Sequence, residues 1–565
     1  MATSTLAIDF TSFLDSVQSR GRTMLLPALL QAQNLFGFIP EDQAREIGEA
    51  LKVPLADITG MIEFYSILKT TQVGSPHISV CTSPVCTARG AHQLLTELKQ
   101  GLDDHTSLEE VACLGLCDHA PAALVDQSQI GHATVKNILL PPERIKSTLY
   151  GDARMITQWC DEEVEHTLDL FLECGGFEGL EVALSVPPKD VIEAVKDAGL
   201  RGRGGAGFPT GLKWESAAHI EDIPKYLVCN QDESEPGTFK DRALLLGDPF
   251  KIIEGMIIAG YAVGTEKAFF YIRGEYPLAR KTIESAIKET REYGYIGENI
   301  LGTGFNFDIE IRSGGGAYIC GEETALFESV EGKRGFPRIK PPFPTSQGLF
   351  GKPTVINNVE TIANISLIFQ IGPDEYRQLG SKMVPGPRLL SVSGAISQPG
   401  VYEISEPITL RTLLYDLGGG LPEDCQLGAV LLGGAAGKFV SPDNLDILLA
   451  EESLREIGHS LGSGAIMVFD HQTDLRLILS SLANFFAHES CGKCYPCQLG
   501  TQRQAEIIFR CLDGNTLDGD MELLHDVGWT MTDASLCGLG QTASQAILSA
   551  IELWPDLITS KEFRQ

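Results

Sequence analysis

"RGRGGAGFPTGLKW", Arg201 to Trp214, contains Gly202-x-Gly204-x-x-Gly207, the spacing of a dinucleotide-binding fingerprint. In an ordinary Rossmann unit that spacing follows a strand and opens a helix. Here it follows "DVIEAVKDAGL", whose Val191, Ile192, Val195 and Ala198 recur at three- and four-residue steps and predict a helix. The surrounding domain is therefore α/β, but not an ordinary Rossmann fold. Gly202, Gly204, Gly205 and Gly207 let the backbone approach a ligand closely. Arg201, Arg203 and Lys213 add positive charge, which a plain glycine turn does not need.

Three further loops lie downstream. "YLVCNQDESEPGTFKDR" reads as a strand, Tyr226 to Cys229, emptying into Asn230, Asp232, Glu233 and Glu235. A lone acidic loop is usually solvated surface; this one can also accept hydrogen bonds from ribose hydroxyls or a flavin ring N–H. "SGGGAYICGEETAL" reads as three glycines before a strand, then Gly321, Glu322, Glu323 and Thr324 at a helix start, where acidic residues are also ordinary capping. In "KPTVINNVET", Asn357, Asn358 and Thr361 beside a helix N-terminus suit a phosphate.

The cysteines supply the second signal. Of 14, eight group by spacing, at 81/86, 113/117, 491/494/497 and 537. Cysteines 160, 174, 229, 320, 425 and 511 are scattered and read as small buried apolar residues. In "ESCGKCYPCQLG", Cys491, Cys494 and Cys497 follow at successive two-residue gaps. Zinc sites usually use pairs separated by a longer gap, whereas such a run wraps one corner of a [4Fe–4S] cube. Zinc stays as the alternative. Cys537 in "SLCGLG" is the better fourth ligand, because Cys511 falls in the helical pattern "AEIIFRCL". Pro496 is read as blocking a helix there. The pairs Cys81/Cys86 and Cys113/Cys117 suit zinc or [2Fe–2S]. A Rieske centre needs two Cys-x-His pairs, and only Cys117-Asp118-His119 offers one, so His119 reads as solvent-side.

At 565 residues and 43% hydrophobic, the chain can bury several cores. Its net charge of −31 argues against nucleic acid and anionic membrane surfaces. The N-terminus is acidic before Arg20 and fits no secretory or transit signal. "IIEGMIIAGYAVG" is too short to span a bilayer and carries Glu254. The expectation is a cytoplasmic protein with reduced cysteines and no direct membrane insertion. Five segments are expected. Residues 1–150 form a helical bundle followed by a small α/β unit from "HISVCTSPVC" onward, 151–186 a linker, and 187–380 the glycine-loop domain. Residues 381–472, with "LLSVSGAISQPGVYEI", "AIMVFD" and the helix "TLRTLLYDLG", form a β-grasp-like (SLBB-like) module; 473–565 form a helical domain.

These loops in this order, then the β-grasp-like module, the Cys-x2-Cys-x2-Cys run and "SLCGLG", resemble the NADH-binding flavoprotein subunit of respiratory complex I. They also resemble that subunit's relatives, the diaphorase subunits of NAD-linked hydrogenases and formate dehydrogenases, which the fusion of the two units resembles more than it does complex I. The resemblance covers about residues 180 to 555; the first 150, with "CTSPVC" and "CLGLC", resemble the complex I subunit carrying a thioredoxin-like [2Fe–2S] domain. It implies FMN and NAD(H) in one cavity, one [4Fe–4S] and one [2Fe–2S] cluster. FMN would be held by Gly204, Lys213, Asn230, Asp232, Tyr318, Gly321, Glu322, Asn357, Asn358 and Thr361. NADH would stack on Phe208 and Phe343, with Glu235, Glu323 and Lys340 nearby. No side chain need act as base or nucleophile. The implied partners are an iron–sulfur subunit and a formate dehydrogenase or hydrogenase catalytic subunit, with a complex I module as the alternative. From a different class, a zinc-stabilised interaction module without turnover stays open. Ser216 stands where the family often has an aromatic residue, and the gap between the N-terminal cysteine pairs is shorter than usual.

Overall fold

A computed structural model describes residues 2–558 except 104, 142–144, 152 and 161–165. Helices Ala2–Val17, Leu25–Phe36, Glu41–Leu51 and Leu55–Phe64 bury Phe10, Leu14, Leu29, Ile47, Ile58 and Met61. The apolar steps of three and four residues place these side chains on one face of each helix. A sheet follows in the order Ser107–Val111, His77–Cys81, Ala123–Val125, Ser128–Ile130, with the first pair parallel and the others antiparallel. Helix Ala91–Gly101 buries Leu94, Leu95 and Leu98 in the core beside that sheet.

The glycine-loop unit is built on a fully parallel sheet in the order Asp308–Ser313, Lys267–Ile272, Tyr226–Gln231, Thr354–Asn358. The chain runs outward from Tyr226–Gln231 in two steps, then returns to its other side. That reversal makes a switch point between Tyr226–Gln231 and Thr354–Asn358, where open α/β sheets leave a ligand crevice. Asn230 pairs in register with Asn358 at the carboxyl ends of these two strands. The fingerprint loop lies between helices Pro188–Asp197 and Thr210–Ala218, as the helical spacing before it requires. "SGGGAYICGEETAL" differs from expectation. The strand Asp308–Ser313 comes before its glycines, and Tyr318–Gly321 is a tight helical turn. Burial of Ile319 and Cys320 comes from that turn, which gives two adjacent apolar residues a strand-like look in the sequence.

The third sheet has six strands, ordered Lys438–Val440, Leu427–Leu432, Ala465–Asp470, Arg388–Gly394, Gly400–Ile404, Leu149–Tyr150. "TLRTLLYDLG" is helical over 410–417, and its last six residues, Thr412–Leu417, are wound more widely than an α-helix. The last strand comes from far upstream: Leu149 and Tyr150 pair in parallel with Val401 and Tyr402. Next to it, the Glu403 carboxylate accepts from the backbone N–H groups of Met155, Ile156 and Thr157 at 2.8, 2.8 and 2.9 Å, and from the Thr157 hydroxyl at 2.6 Å. Much of the segment expected to be a linker is thus docked, and helices Leu168–Glu173 and Glu178–Leu184 follow. Its weak pattern reflects an anchor some 250 positions away in the chain. Residues 152 and 161–165 of that segment lie outside the described residues, as do 559–565 of the C-terminal one. The C-terminal segment comprises helices Leu475–Glu489, Tyr495–Leu512, Asp520–Ala534, Gly538–Thr542 and Gln545–Leu553. Pro496 does not block a helix: it sits in the first turn of Tyr495–Leu512, where its missing N–H costs nothing.

Candidate functional site: a flavin-type crevice between two thiol clusters

Cys491 and Cys494 precede helix Tyr495–Leu512, Cys497 lies in its first turn, and Cys537 stands just before helix Gly538–Thr542. All four line one cavity with Ser490, Ile319 and Leu539. Cys511 does not; it is buried about 21 Å further along the helix at 1.5 Å per residue. Burial pushes the Cys497 thiol up to about 11 and that of Cys537 up to about 12. As thiolates, these sulfurs need a cationic centre. Backbone N–H of Leu536 donates to Cys494 Sγ at 3.5 Å, and Ser490 Oγ lies 3.2 Å from Cys497 Sγ. Among the described residues, no group of three or more His, Cys, Asp or Glu side chains closes on a single ion. Four thiols around one cavity make a ligand set with the count that a [4Fe–4S] cluster or a zinc ion requires.

In the N-terminal sheet, Cys81 ends strand His77–Cys81, Cys86 lies in helix Pro84–Ala88, and Cys113 and Cys117 flank a tight loop. All four are buried. Cys113 and Cys117 Sγ are 3.8 Å apart, and Gly115 N–H donates to Cys113 Sγ at 3.3 Å. The Cys81 thiol, beside Cys86, Cys113 and Cys117, is driven well up by Cys86 and by burial against the opposing pull of Cys113. His119 is half-buried rather than solvent-side and turns away, its Nε2 lying 2.7 Å from the Lys146 carbonyl.

The crevice between these clusters collects most of the expected residues. Gly204 and Gly205 are exposed, and Gly205 and Gly207 have φ of +113° and +62°, so the loop presents bare backbone. A Cβ on Gly204 would come 3.1 Å from Cβ of Asn358, which brings the loop against the strand end. Asn357 Oδ1 accepts from Trp214 Nε1 at 3.0 Å, and Thr361 Oγ1 accepts from Arg203 N–H at 2.8 Å. Asn358 caps helix Val359–Ile371 through Oδ1 and donates to Asp241 Oδ2 at 2.5 Å. Lys213 donates to the Ile356 carbonyl at 3.1 Å, and burial lowers its pKa. Such an ammonium fits an anionic group such as a phosphate. Asn230 donates to the Gly321 carbonyl at 2.9 Å and accepts from Asp232 N–H at 3.0 Å. Burial lifts both Asp232 and Glu233 to about 7.

Two basic residues are placed otherwise than expected. Arg203 is fully buried: its guanidinium donates to the Pro385 carbonyl at 2.5 Å and faces Tyr376, away from the loop's open side. Arg201 donates to the Gly207 carbonyl at 2.8 Å and closes the loop on itself. A tight glycine loop needs such internal donors, so its charge count overstates what faces a ligand.

The expected nucleotide residues form the mouth. Phe208 and Phe343 are 53% and 58% exposed, as free stacking faces would be. Glu322 caps helix Glu323–Val330, and Lys340 bridges Glu322 and Glu323 at 2.9 and 2.5 Å. Ser216 is exposed, and its hydroxyl donates back to the Leu212 carbonyl at 2.8 Å. Glu235 is anchored instead of free: it accepts from Ser463 Oγ at 2.6 Å and Ala436 N–H at 3.2 Å, both from the six-stranded sheet's module. On the other flank, Glu489 accepts from Tyr318 N–H at 2.8 Å and is pushed up to about 8 by burial. It joins the Tyr318 loop to the Cys491 run. Ser463 and Ala436 carry no motif, and no local signal in the sequence could have found them; Glu489 opens the stretch "ESCGKCYPCQLG", where the cysteines alone drew a role.

Three family models match in succession: a thioredoxin-like [2Fe–2S] ferredoxin over residues 10–140, a Nuo51 FMN-binding domain over 195–367, and an NADH-ubiquinone oxidoreductase-F iron–sulfur binding region over 478–561. The F subunit of the NADH-quinone oxidoreductase of Aquifex aeolicus is 44% identical over 391 residues, covering 69% of this chain and 90% of that protein. The alpha subunit of the NAD-reducing hydrogenase HoxS of Cupriavidus necator is 36% identical over 585 residues, covering 98% and 94%. The chain belongs to this NADH oxidoreductase flavoprotein family. A solved structure of an air-oxidised NAD+-reducing [NiFe]-hydrogenase superposes on this family member with a TM-score of 0.84 and 32% identity, covering 96% of this chain and 94% of that one. As a flavoprotein of this family, it carries regions for FMN, for a [2Fe–2S] and for a [4Fe–4S] cluster, and it is an oxidoreductase.

Proposed function

We propose that the protein is the diaphorase subunit of a larger enzyme, moving electrons between NAD(H) and a partner redox subunit. One observation carries this reading: the Glu489 carboxylate joins the Tyr318 loop of the crevice directly to the Cys491–Cys494–Cys497–Cys537 cavity. Bound FMN would supply the conversion between two-electron hydride transfer and single electrons. The chain's own residues bind and orient. Gly204, Lys213, Asn357, Asn358 and Thr361 would hold the phosphate end, and Asn230, Asp232, Tyr318, Gly321 and Glu322 the ring end. Phe208 and Phe343 would sandwich the adenine of NAD(H), with Glu235, Glu323 and Lys340 on its polar groups. Cys81, Cys86, Cys113 and Cys117 would hold the [2Fe–2S] cluster, and the other four thiolates the [4Fe–4S] cluster.

The units are a bundle with a thioredoxin-like domain (1–150), a docked connector (151–186), the crevice domain (187–380), a β-grasp, SLBB-like module (381–472) and the helical cluster domain (473–565). The partner is the catalytic side of a soluble hydrogenase or formate dehydrogenase, together with an iron–sulfur subunit. The HoxS relative, aligned over nearly the whole chain, favours hydrogenase. All 14 cysteines are free, which suits a reducing cytoplasm. Cys494→Ala should keep NADH-to-ferricyanide activity within about threefold, lose the cubane EPR signal, and abolish transfer to or from the co-purifying subunits. Cys511→Ala should leave all three unchanged. Full partner-linked activity in Cys494→Ala would overturn the assignment. A colourless protein after anaerobic purification would favour the zinc module.

A further inference from the structure

Two buried guanidinium groups reach from the crevice unit into the loop between Cys113 and Cys117. Arg273, just after strand Lys267–Ile272, donates from Nη2 to the Cys113 carbonyl at 2.6 Å. From Nη1 it donates to the Glu233 carbonyl, also at 2.6 Å. One cation thus bridges the acidic crevice loop and the backbone of a cluster ligand. Arg242 donates from Nε to the Gly115 carbonyl at 3.0 Å and from Nη2 to Ser147 at 2.9 Å. The contact is tight, since a Cβ on Gly115 would lie 1.8 Å from the Tyr276 hydroxyl. The Tyr276 ring in turn lies 4.9 Å from the Arg273 guanidinium.

The two cations are balanced differently. Arg242 is paired at 3.0 Å with Asp118, and both side chains are almost fully buried, at 1% and 2% exposed. Arg273 is paired at 2.9 Å with Glu275, but Glu275 is 16% exposed against 3% for Arg273. Glu233 is near, but its carboxylate is occupied by the N–H groups of Asp241 and Arg242 at 2.8 and 2.9 Å. The negative partner of Arg273 is therefore nearer water than the guanidinium is, although the two are joined by two hydrogen bonds.

We infer that Arg273 is a positioning residue that sets the reduction potential of the [2Fe–2S] centre held by Cys81, Cys86, Cys113 and Cys117, and that locks this centre's loop to the crevice loop. The inference rests on the ligand set proposed above. Reduction adds one electron, and so one negative charge, to a centre out of contact with water. A buried cation bonded to a ligand's own carbonyl stabilises the reduced form, and hydrogen bonds around a cluster are a known means of setting its potential. Glu275 opposes that effect in part.

The test is an EPR-monitored redox titration of the holoprotein, with the [4Fe–4S] signal as internal reference. Arg273→Gln should lower the [2Fe–2S] potential, so that at fixed ambient potential the reduced-to-oxidised ratio falls by about tenfold or more. Arg273→Lys, which keeps the charge, should lie closest to the unmodified protein. Glu275→Gln should shift the potential the opposite way, upward, with the [4Fe–4S] signal unmoved. No shift in Arg273→Gln, or shifts of the same sign in both glutamine variants, would overturn the inference; the latter would report general disturbance. If Arg273→Gln does not fold, Glu275→Gln decides alone, and an unshifted or lowered potential refutes it. Absence of any two-iron signal in the unmodified protein would refute the ligand reading, and this inference with it.

Discussion

Glu235 sits at the mouth of the crevice with both carboxylate oxygens engaged, by Ser463 Oγ and by Ala436 N–H. A carboxylate held this way offers its remaining lone pairs in fixed directions, and burial raises its pKa. Ser463→Ala removes one donor without touching flavin-side residues. We expect the KM for NADH to rise about three- to tenfold, the worth of one such hydrogen bond, with kcat and flavin content little changed. Ser463→Thr should restore the KM; an unchanged KM in Ser463→Ala would show that Glu235 does not depend on it. Acidic character at Glu235, Glu322 and Glu323 was legible in the sequence because it sits beside glycine loops. Its anchoring was not, since Ser463 is over two hundred positions away and lies in no motif. Arg203 shows the converse: a basic residue in a glycine loop invites a ligand reading, yet its guanidinium is spent inside the fold. Asn358 is similar. Its amide donates to Asp241, so Asn358→Asp would set two carboxylates together and would disturb the loop whether or not a phosphate binds there.

Helices Pro249–Val263 and Val359–Ile371 cross beneath the crevice with almost no space between them. A Cβ on Gly255 would come 2.2 Å from the Ile362 carbonyl oxygen, so this glycine exists for backbone contact. Gly255→Ala must push the helices apart. It should cost about 1–3 kcal/mol and weaken flavin retention, because Asn358 caps the displaced helix. Thermal melting and flavin release on dilution check this, and an unshifted melt would mean that the crossing is loose. At this scale the sequence was read well where periodicity is long. The N-terminal helices, the Pro188–Asp197 helix and the strands Arg388–Gly394, Gly400–Ile404 and Ala465–Asp470 came out as expected. It misled where elements are shorter than a period. Tyr318–Gly321 looked like a strand, and Pro496 like a breaker when it is a starter.

Among the described residues, one large core runs from Phe10 to Ile558, and the interiors of the six-stranded sheet and of the small N-terminal sheet form cores of their own. Glu254 lies deep in the large core, accepting from Leu180 N–H at 3.0 Å and from the Ser366 hydroxyl. Burial pushes its carboxyl from 4.5 up to about 7. The folded protein therefore keeps a proton there that the unfolded chain releases between those values. Stability from this site is full below about 4.5 and falls as pH rises toward 7. Glu254→Gln, still able to accept from Leu180, should flatten that slope. Its apparent melting temperature should exceed that of the unmodified protein at pH 8 and match it near pH 4.5, with a gain of no more than about 3.5 kcal/mol at ~1.4 kcal/mol per pKa unit. Equal melting at both pH values would place the cost elsewhere. The pairing of Leu149–Tyr150 with Gly400–Ile404, and the grip of Glu403 on residues 155–157, also bear on how such a chain could be divided. A break at the apparent boundary near residue 151 would carry an edge strand away with the front piece and leave its clasp on the back piece. Two genes split there would encode halves that each lack something the other holds. A natural or engineered separation is better placed upstream of Lys146, so that the edge strand, the gripped residues and Glu403 travel together.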